Sequence, residues 1–175
     1  MFSILSYGMK WIAIAGSWRF STPKLRLELE NEVKSILNAG NGIITGGALG
    51  VDYLATQQVI KLNPKLDRLK VFLPSPLGIY LDHYKNRAQE GVISQNQAKT
   101  LEIQLKMINR VNPEYLVYGK HRPVNKRTYY LRNKLIIEVA DQLIAFQVNK
   151  SLGTQQAINY AKKLNKPIKV FKYTT

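Results

Sequence analysis

Three times in this chain a short apolar run ends on glycine and small polar residues, then gives way at once to a helical pattern. The stretches are "IAIAGSWRFST" at 12–22, "GIITGGALGVDYLAT" at 42–56 and "DQLIAFQVNKSLGTQQAINYA" at 141–161. Each run has the length of a buried strand and is too short for a core helix. A strand followed by a helix and another strand needs a crossover, and crossovers build parallel sheets covered on both faces. The pattern therefore predicts a Rossmann-like three-layer α/β/α sandwich around a mainly parallel sheet of five strands, or slightly more.

The remaining segments fill in that alternation. A first strand is expected at 10–15, followed by a helix capped by Ser21 or Thr22, with Pro23 in its first turn and Gly40 as its stop. "GIIT" and "LKVFLP" read as the second and third strands, with a helix from Gly50 to Leu62 between them. Residues 78–110 are helical in pattern with a break at Gly91, and 112–128, punctuated by Asn-Pro and Arg-Pro, reads as a loop. A helix at 129–139, the strand "QLIAFQV", a helix at 154–164 and the strand "IKVFKY" complete the chain, with an assumed strand order 3-2-1-4-5. At 175 residues the expected organisation is a single Rossmann-like domain over 1–175, with a helical and loop insertion at 78–127.

Charge narrows the partners. Lys and Arg number 26 against 11 Asp and Glu, a net charge of +15, which favours polyanions. Beyond Leu116 the only acids are Glu138 and Asp141, so the excess is concentrated in the C-terminal third. The plain alternative is a solvated basic surface. With no cysteine there are no disulfides, thiolate nucleophiles or cysteine-ligated zinc. His83 and His121 lack metal-ligand spacing, so no metal is expected. No apolar run reaches the roughly 20 residues of a membrane span. The N-terminus reads as a short leader before the first strand, and the expected setting is cytoplasmic, without a membrane partner.

Ligands of open parallel sheets sit beyond the carboxyl ends of the strands, where the strand order reverses. Three loops would meet there. Gly16, Ser17, Trp18 and Arg19 offer a hydroxyl, an aromatic platform and a guanidinium able to hold phosphate with two hydrogen bonds. Gly46, Gly47, Ala48 and Gly50 let backbone amides approach a ligand at a helix N-terminus. Ser151, Gly153 and Thr154 form a second candidate anion cradle, with Ser151 or Thr154 a simple helix cap as the alternative. Arg132 and Asn133, on the preceding helix, would face the same crevice. Asp52 would oppose a phosphate, so a hydroxyl such as a ribose is its expected contact. A separate acid-free stretch, "GKHRPVNKRTYYLRNK", interleaves Lys120, Arg122, Lys126, Arg127 and Lys134 with Tyr129 and Tyr130. Cations and aromatic faces in that mixture suit a single strand of nucleic acid.

These motifs resemble those of the SMF/DprA–LOG superfamily of Rossmann-like proteins, which includes DNA-processing protein DprA and the Lonely Guy phosphoribohydrolases. "IAIAGSWRF" is similar to its first strand and Gly-Ser-Arg turn, with Trp18 inserted before Arg19. "ITGGALGVDYLA" resembles its Gly-Gly-Ala-x-Gly-x-Asp segment, and "YYLRNKLIIEVADQLIAF" its Arg-Asn helix and following strand. "SLGTQQAINYAKKLNKPIKVF" is similar to its Gly-Thr helix and last strand, whereas 78–125 has no counterpart. Lonely Guy enzymes use Pro-Gly-Gly-x-Gly-Thr-x-x-Glu, but here Gly153-Thr154 lacks the preceding Pro-Gly-Gly and Ala157 stands at the glutamate. The resemblance thus implies a non-catalytic protein that binds or senses a nucleotide or nucleotide derivative at the strand ends. Its alternatives are DprA-like single-stranded DNA binding and a nucleotide-processing hydrolase, for which Asp52 would be the catalytic acid. Relatives often self-associate, so the resemblance leaves a homo-oligomer open, and the apolar content of 78–110 beyond one helix face makes that stretch a candidate dimer surface or cover for the crevice.

Overall fold

Thr22 starts the first helix as the sequence predicts: its hydroxyl accepts from the Leu25 amide at 3.1 Å, and Pro23 fills the first turn, where no amide is needed. The protein is described by a computed structural model that places residues 8–19 and 21–175. The expected leader before Gly8 lies outside those residues. The strands are β1 (Trp11–Gly16), β2 (Gly42–Thr45), β3 (Leu69–Leu73), β4 (Leu116–Tyr118), β5 (Gln142–Val148) and β6 (Ile168–Tyr173). The helices are α1 (Pro23–Asn38), α2 (Val51–Leu62), α3 (Leu77–Gln89), α4 (Gln95–Val111), α5 (Lys126–Val139) and α6 (Leu152–Lys163).

The strands form one parallel sheet in the order β4-β3-β2-β1-β5-β6. Side chains alternate across it, as strand geometry demands. Ile12, Ile14, Ile43, Val71, Leu73 and Phe146 face the side covered by α1, α2, α3 and α4. Ala13, Ile44, Phe72, Leu143 and Ala145 face the side covered by α5 and α6. The result is a Rossmann-like three-layer α/β/α sandwich. Among the described residues no helix is long and apolar enough to cross a membrane.

Two expectations change. Residues 112–128 are not simply a loop: they hold a 3₁₀ turn (Pro113–Tyr115), the strand β4 and the start of α5. In β4 only Leu116 is buried, so three residues at a sheet edge leave no readable alternation. Gly119 extends the pairing, its amide donating to the Leu73 carbonyl at 2.8 Å. Helix α5 begins three residues earlier than its apolar periodicity, held by a capping box between Asn125 and Thr128. Among the described residues the sheet therefore has six strands. The added β4 lies outside β3, and the assumed order of the other five stands.

Candidate functional site

Strand order reverses beside β1, whose neighbours β2 and β5 lead away in opposite directions, so the crevice opens at their carboxyl ends. The turn after β1 is pressed onto the start of α2. The Val51 amide donates to the Ser17 carbonyl at 3.0 Å, and the Arg19 amide to the Ser17 hydroxyl at 3.3 Å. Gly50 has φ +74°, and a Cβ there would run into the Ser17 carbonyl and the Trp18 backbone. Only glycine satisfies both conditions.

The Gly46–Ala48 loop is closed from within. Asp52 Oδ2 accepts from the Gly46 amide at 3.1 Å and, more weakly, from the Ala48 amide at 3.4 Å. Arg132 Nη1 donates to the Gly46 carbonyl and, at 3.1 Å, to the Phe72 carbonyl. Its Nε donates to Asn133 Oδ1 at 2.8 Å. Burial raises the Asp52 carboxyl to about 6, while the nearby Arg132 charge and the two amides pull it back. A Cβ on Gly46 would collide with both the guanidinium and the carboxylate. The structure places these residues side by side, yet two amides expected to meet phosphate already have an acceptor. The Arg132 guanidinium likewise bonds the carbonyls that end β2 and β3.

Little space is left between these groups. A cleft lined by Ala15, Gly46, Asp52, Asn133, Ile137 and Ala157 admits about 20 Å³, room for about one water. Beside it, Ser151 makes no cap bond to the α6 backbone; its hydroxyl donates to Thr154 Oγ1 at 2.7 Å. Gly153 stands open, with nothing near the position of a Cβ.

Outside the cleft the rim is exposed and basic. Trp18 and Arg19 are exposed, and the guanidinium lies over the indole with its carbon 4.4 Å from the ring centroid. Lys120 and Arg122 are exposed in the connection leaving β4, and Lys126 and Arg127 in the first turn of α5. Tyr129 turns inward, half-buried against Tyr80 and His83 at ring distances of 6.4 and 6.3 Å. Its burial beside Tyr84 drives the phenol far above its ordinary range. Tyr130 is the exposed one of the pair, with Lys134 Nζ 5.7 Å from its ring. One contributor was missed in the sequence. The buried Tyr80 hydroxyl donates to the Gly47 carbonyl at 3.1 Å and so fixes the loop from α3. Tyrosine at that position reads as helix core, and nothing local signals its distant partner.

Comparison with known proteins gives a consistent picture. The sequence profile of the family described as DNA recombination-mediator protein A matches residues 4–174. Among solved structures, DNA processing protein A from Helicobacter pylori, reported for its single-stranded DNA binding mode, is similar at 24% identity and TM-score 0.65 over 92% of this chain. The DNA processing protein A (DprA) of Streptococcus pneumoniae is similar at 16% identity and TM-score 0.62 over 93% of this chain. The structural-genomics target TM1055 is similar at 20% identity and TM-score 0.54, over 91% of this chain and 72% of its own. This chain spans 64% and 50% of the Helicobacter and Streptococcus chains. No curated protein matches the sequence.

Proposed function

We propose that this chain, which belongs to the DNA recombination-mediator protein A family, binds single-stranded DNA along the carboxyl rim of its sheet. One observation carries the reading. Arg19, Lys120, Arg122, Lys126 and Arg127 are all exposed in segments that leave this one end of the sheet, around a cleft of about 20 Å³. Small-molecule sites enclose roughly 300–1,000 Å³. An open basic edge beside a cleft of only about 20 Å³ favours a long polyanion over a mononucleotide. Trp18 and Tyr130 supply exposed rings on which bases can stack. The Helicobacter relative's single-stranded DNA binding supports the same partner.

In this reading Arg19 grips phosphate beside the Gly16–Ser17 turn, and the loop cations follow the backbone. Gly153 and the first turn of α6 leave the strand a way across the rim. Asp52, Arg132 and Asn133 hold the loops in shape beneath it. The mechanism is positioning and charge neutralisation, with no bond made or broken.

The test is fluorescence anisotropy of a labelled oligothymidylate over a salt series. Binding should weaken steeply with salt, by about 0.7 in the log–log slope for each phosphate neutralised on a single strand. Arg19→Ala should weaken it about tenfold, in the range of a lost charge-assisted contact. A chain that ignores the strand but holds a mononucleotide would refute the proposal in favour of a nucleotide receptor.

A further inference from the structure

Below the rim, α5 and α6 leave a groove of about 400 Å³ between their outer faces. It is lined by Tyr130 and Lys134 from α5 and by Gln156, Asn159, Tyr160 and Lys163 from α6. The spacing is regular. Lys126, Tyr130 and Lys134 recur every four residues on one face of α5, and Gln156, Asn159, Tyr160 and Lys163 fall at three- and four-residue steps on α6. Both helices start at the rim, so these stripes descend side by side from the proposed strand path. Lys134 Nζ stands between the two rings, 5.7 Å from Tyr130 and 4.9 Å from Tyr160. The Tyr160 hydroxyl donates to Glu138 Oε1 at 2.6 Å, which holds the half-buried ring in the wall of the groove. Gln155 Nε2 donates to Asn159 Oδ1 at 2.8 Å and so orients the Asn159 amide.

We infer that this α5–α6 groove is a second nucleotide subsite, which takes the bases of a single strand as it leaves the rim. The inference rests on the strand-binding reading above and extends it down the side of the molecule. Lys134 already satisfies the negative faces of two aromatic rings, a position an incoming base can share by stacking while the ammonium turns to its phosphate. The Gln156 and Asn159 amides can bond base edges of any identity. Lys163 marks the far end with positive charge. An acidic peptide would find the two cations but no use for the paired rings and amides, so a nucleic-acid strand is the better fit.

Strand length separates the two readings. Oligothymidylates of about 6 and about 16 nucleotides, spanning the range of single-strand site sizes, are titrated against each variant by anisotropy. Tyr160→Ala and, independently, Lys163→Glu should weaken the longer strand at least about fivefold, as loss of one stacked base or one contact implies, and leave the shorter one unchanged. Tyr160→Phe, which keeps the ring and loses only the bond to Glu138, should bind both like the unsubstituted chain. Equal affinity of all variants for the longer strand would overturn the groove while Arg19→Ala still reports rim binding. An equal loss at both lengths also overturns it. No binding by the unsubstituted chain at either length overturns the rim reading and the groove together.

Discussion

On one side of the sheet, α1 and α4 bury Leu25, Leu29, Leu101 and Leu105 completely, against strand residues such as Ile14, Val71 and Phe146. On the other side, α5 and α6 meet the strands through Ala13, Ala140, Ala145, Ala157 and Ala161, five of the eleven residues in that core. The difference divides two tasks. Large aliphatic side chains bury the area that holds the fold together, at about 25 cal/mol per Å². Methyl side chains bury little, but they let polar groups work close to the sheet. From this thinner side Arg132 reaches the Gly46 and Phe72 carbonyls, Asn133 lines the cleft, and Tyr130, Lys134 and Tyr160 line the outer groove. Stability is concentrated on the first face, and the proposed recognition falls on the second.

The largest expected effect challenges that division. Arg132→Met strips the donor from two buried carbonyls and the counter-charge from Asp52, and should cost about 3–5 kcal/mol in urea unfolding. The thin face thus holds one residue on which stability depends. Leu101→Ala, deep in the thick face, should cost about 2–5 kcal/mol and leave strand affinity of the folded protein unchanged. A loss of affinity in step with stability would break the comparison.

Asp52 gives the next effect. Its native value of about 6 lies above the ordinary 3.8, so between them the native state keeps a proton that the unfolded chain has lost. Stability contributed by this group is therefore full below about pH 4, declines as pH rises to about 6 and is flat beyond, for a total of about 3 kcal/mol. Asp52→Asn should remove that decline, seen as the difference between the two unfolding profiles from pH 4 to 7. The smallest effect belongs to the rim. Arg127→Ala should leave the unfolding midpoint in place and reduce the salt slope of strand binding by about 0.7.

Sequence pattern reveals the fold wherever an element is long enough to repeat. The runs at 42–45 and 142–148 appear at their observed bounds, and Gly91 with φ +72° divides α3 from α4 as expected. The three-residue β4 escapes, because a buried leucine, a half-buried valine and an exposed tyrosine show no period. The site is legible in its residue types and in their convergence, since glycines at strand ends and an Arg-Asn pair on a helix follow from chain topology. Its wiring is not. That the Asp52 carboxylate turns back onto Gly46 and Ala48, or that Tyr80 holds Gly47 from 33 residues away, depends on side-chain directions fixed only by packing. The α5–α6 groove is hidden for the same reason, its two stripes lying on separate helices.

The inward-turned carboxylate of Asp52 has one further consequence. A cell is full of small phosphorylated metabolites, any of which would compete for a vacant glycine-rich loop. Here such a molecule would have to displace a group the polypeptide itself provides and meet its negative charge. On the proposed reading, a surface guarded in this way would disfavour isolated anions and favour charge repeated along a polymer, so discrimination by length would come before any base is read.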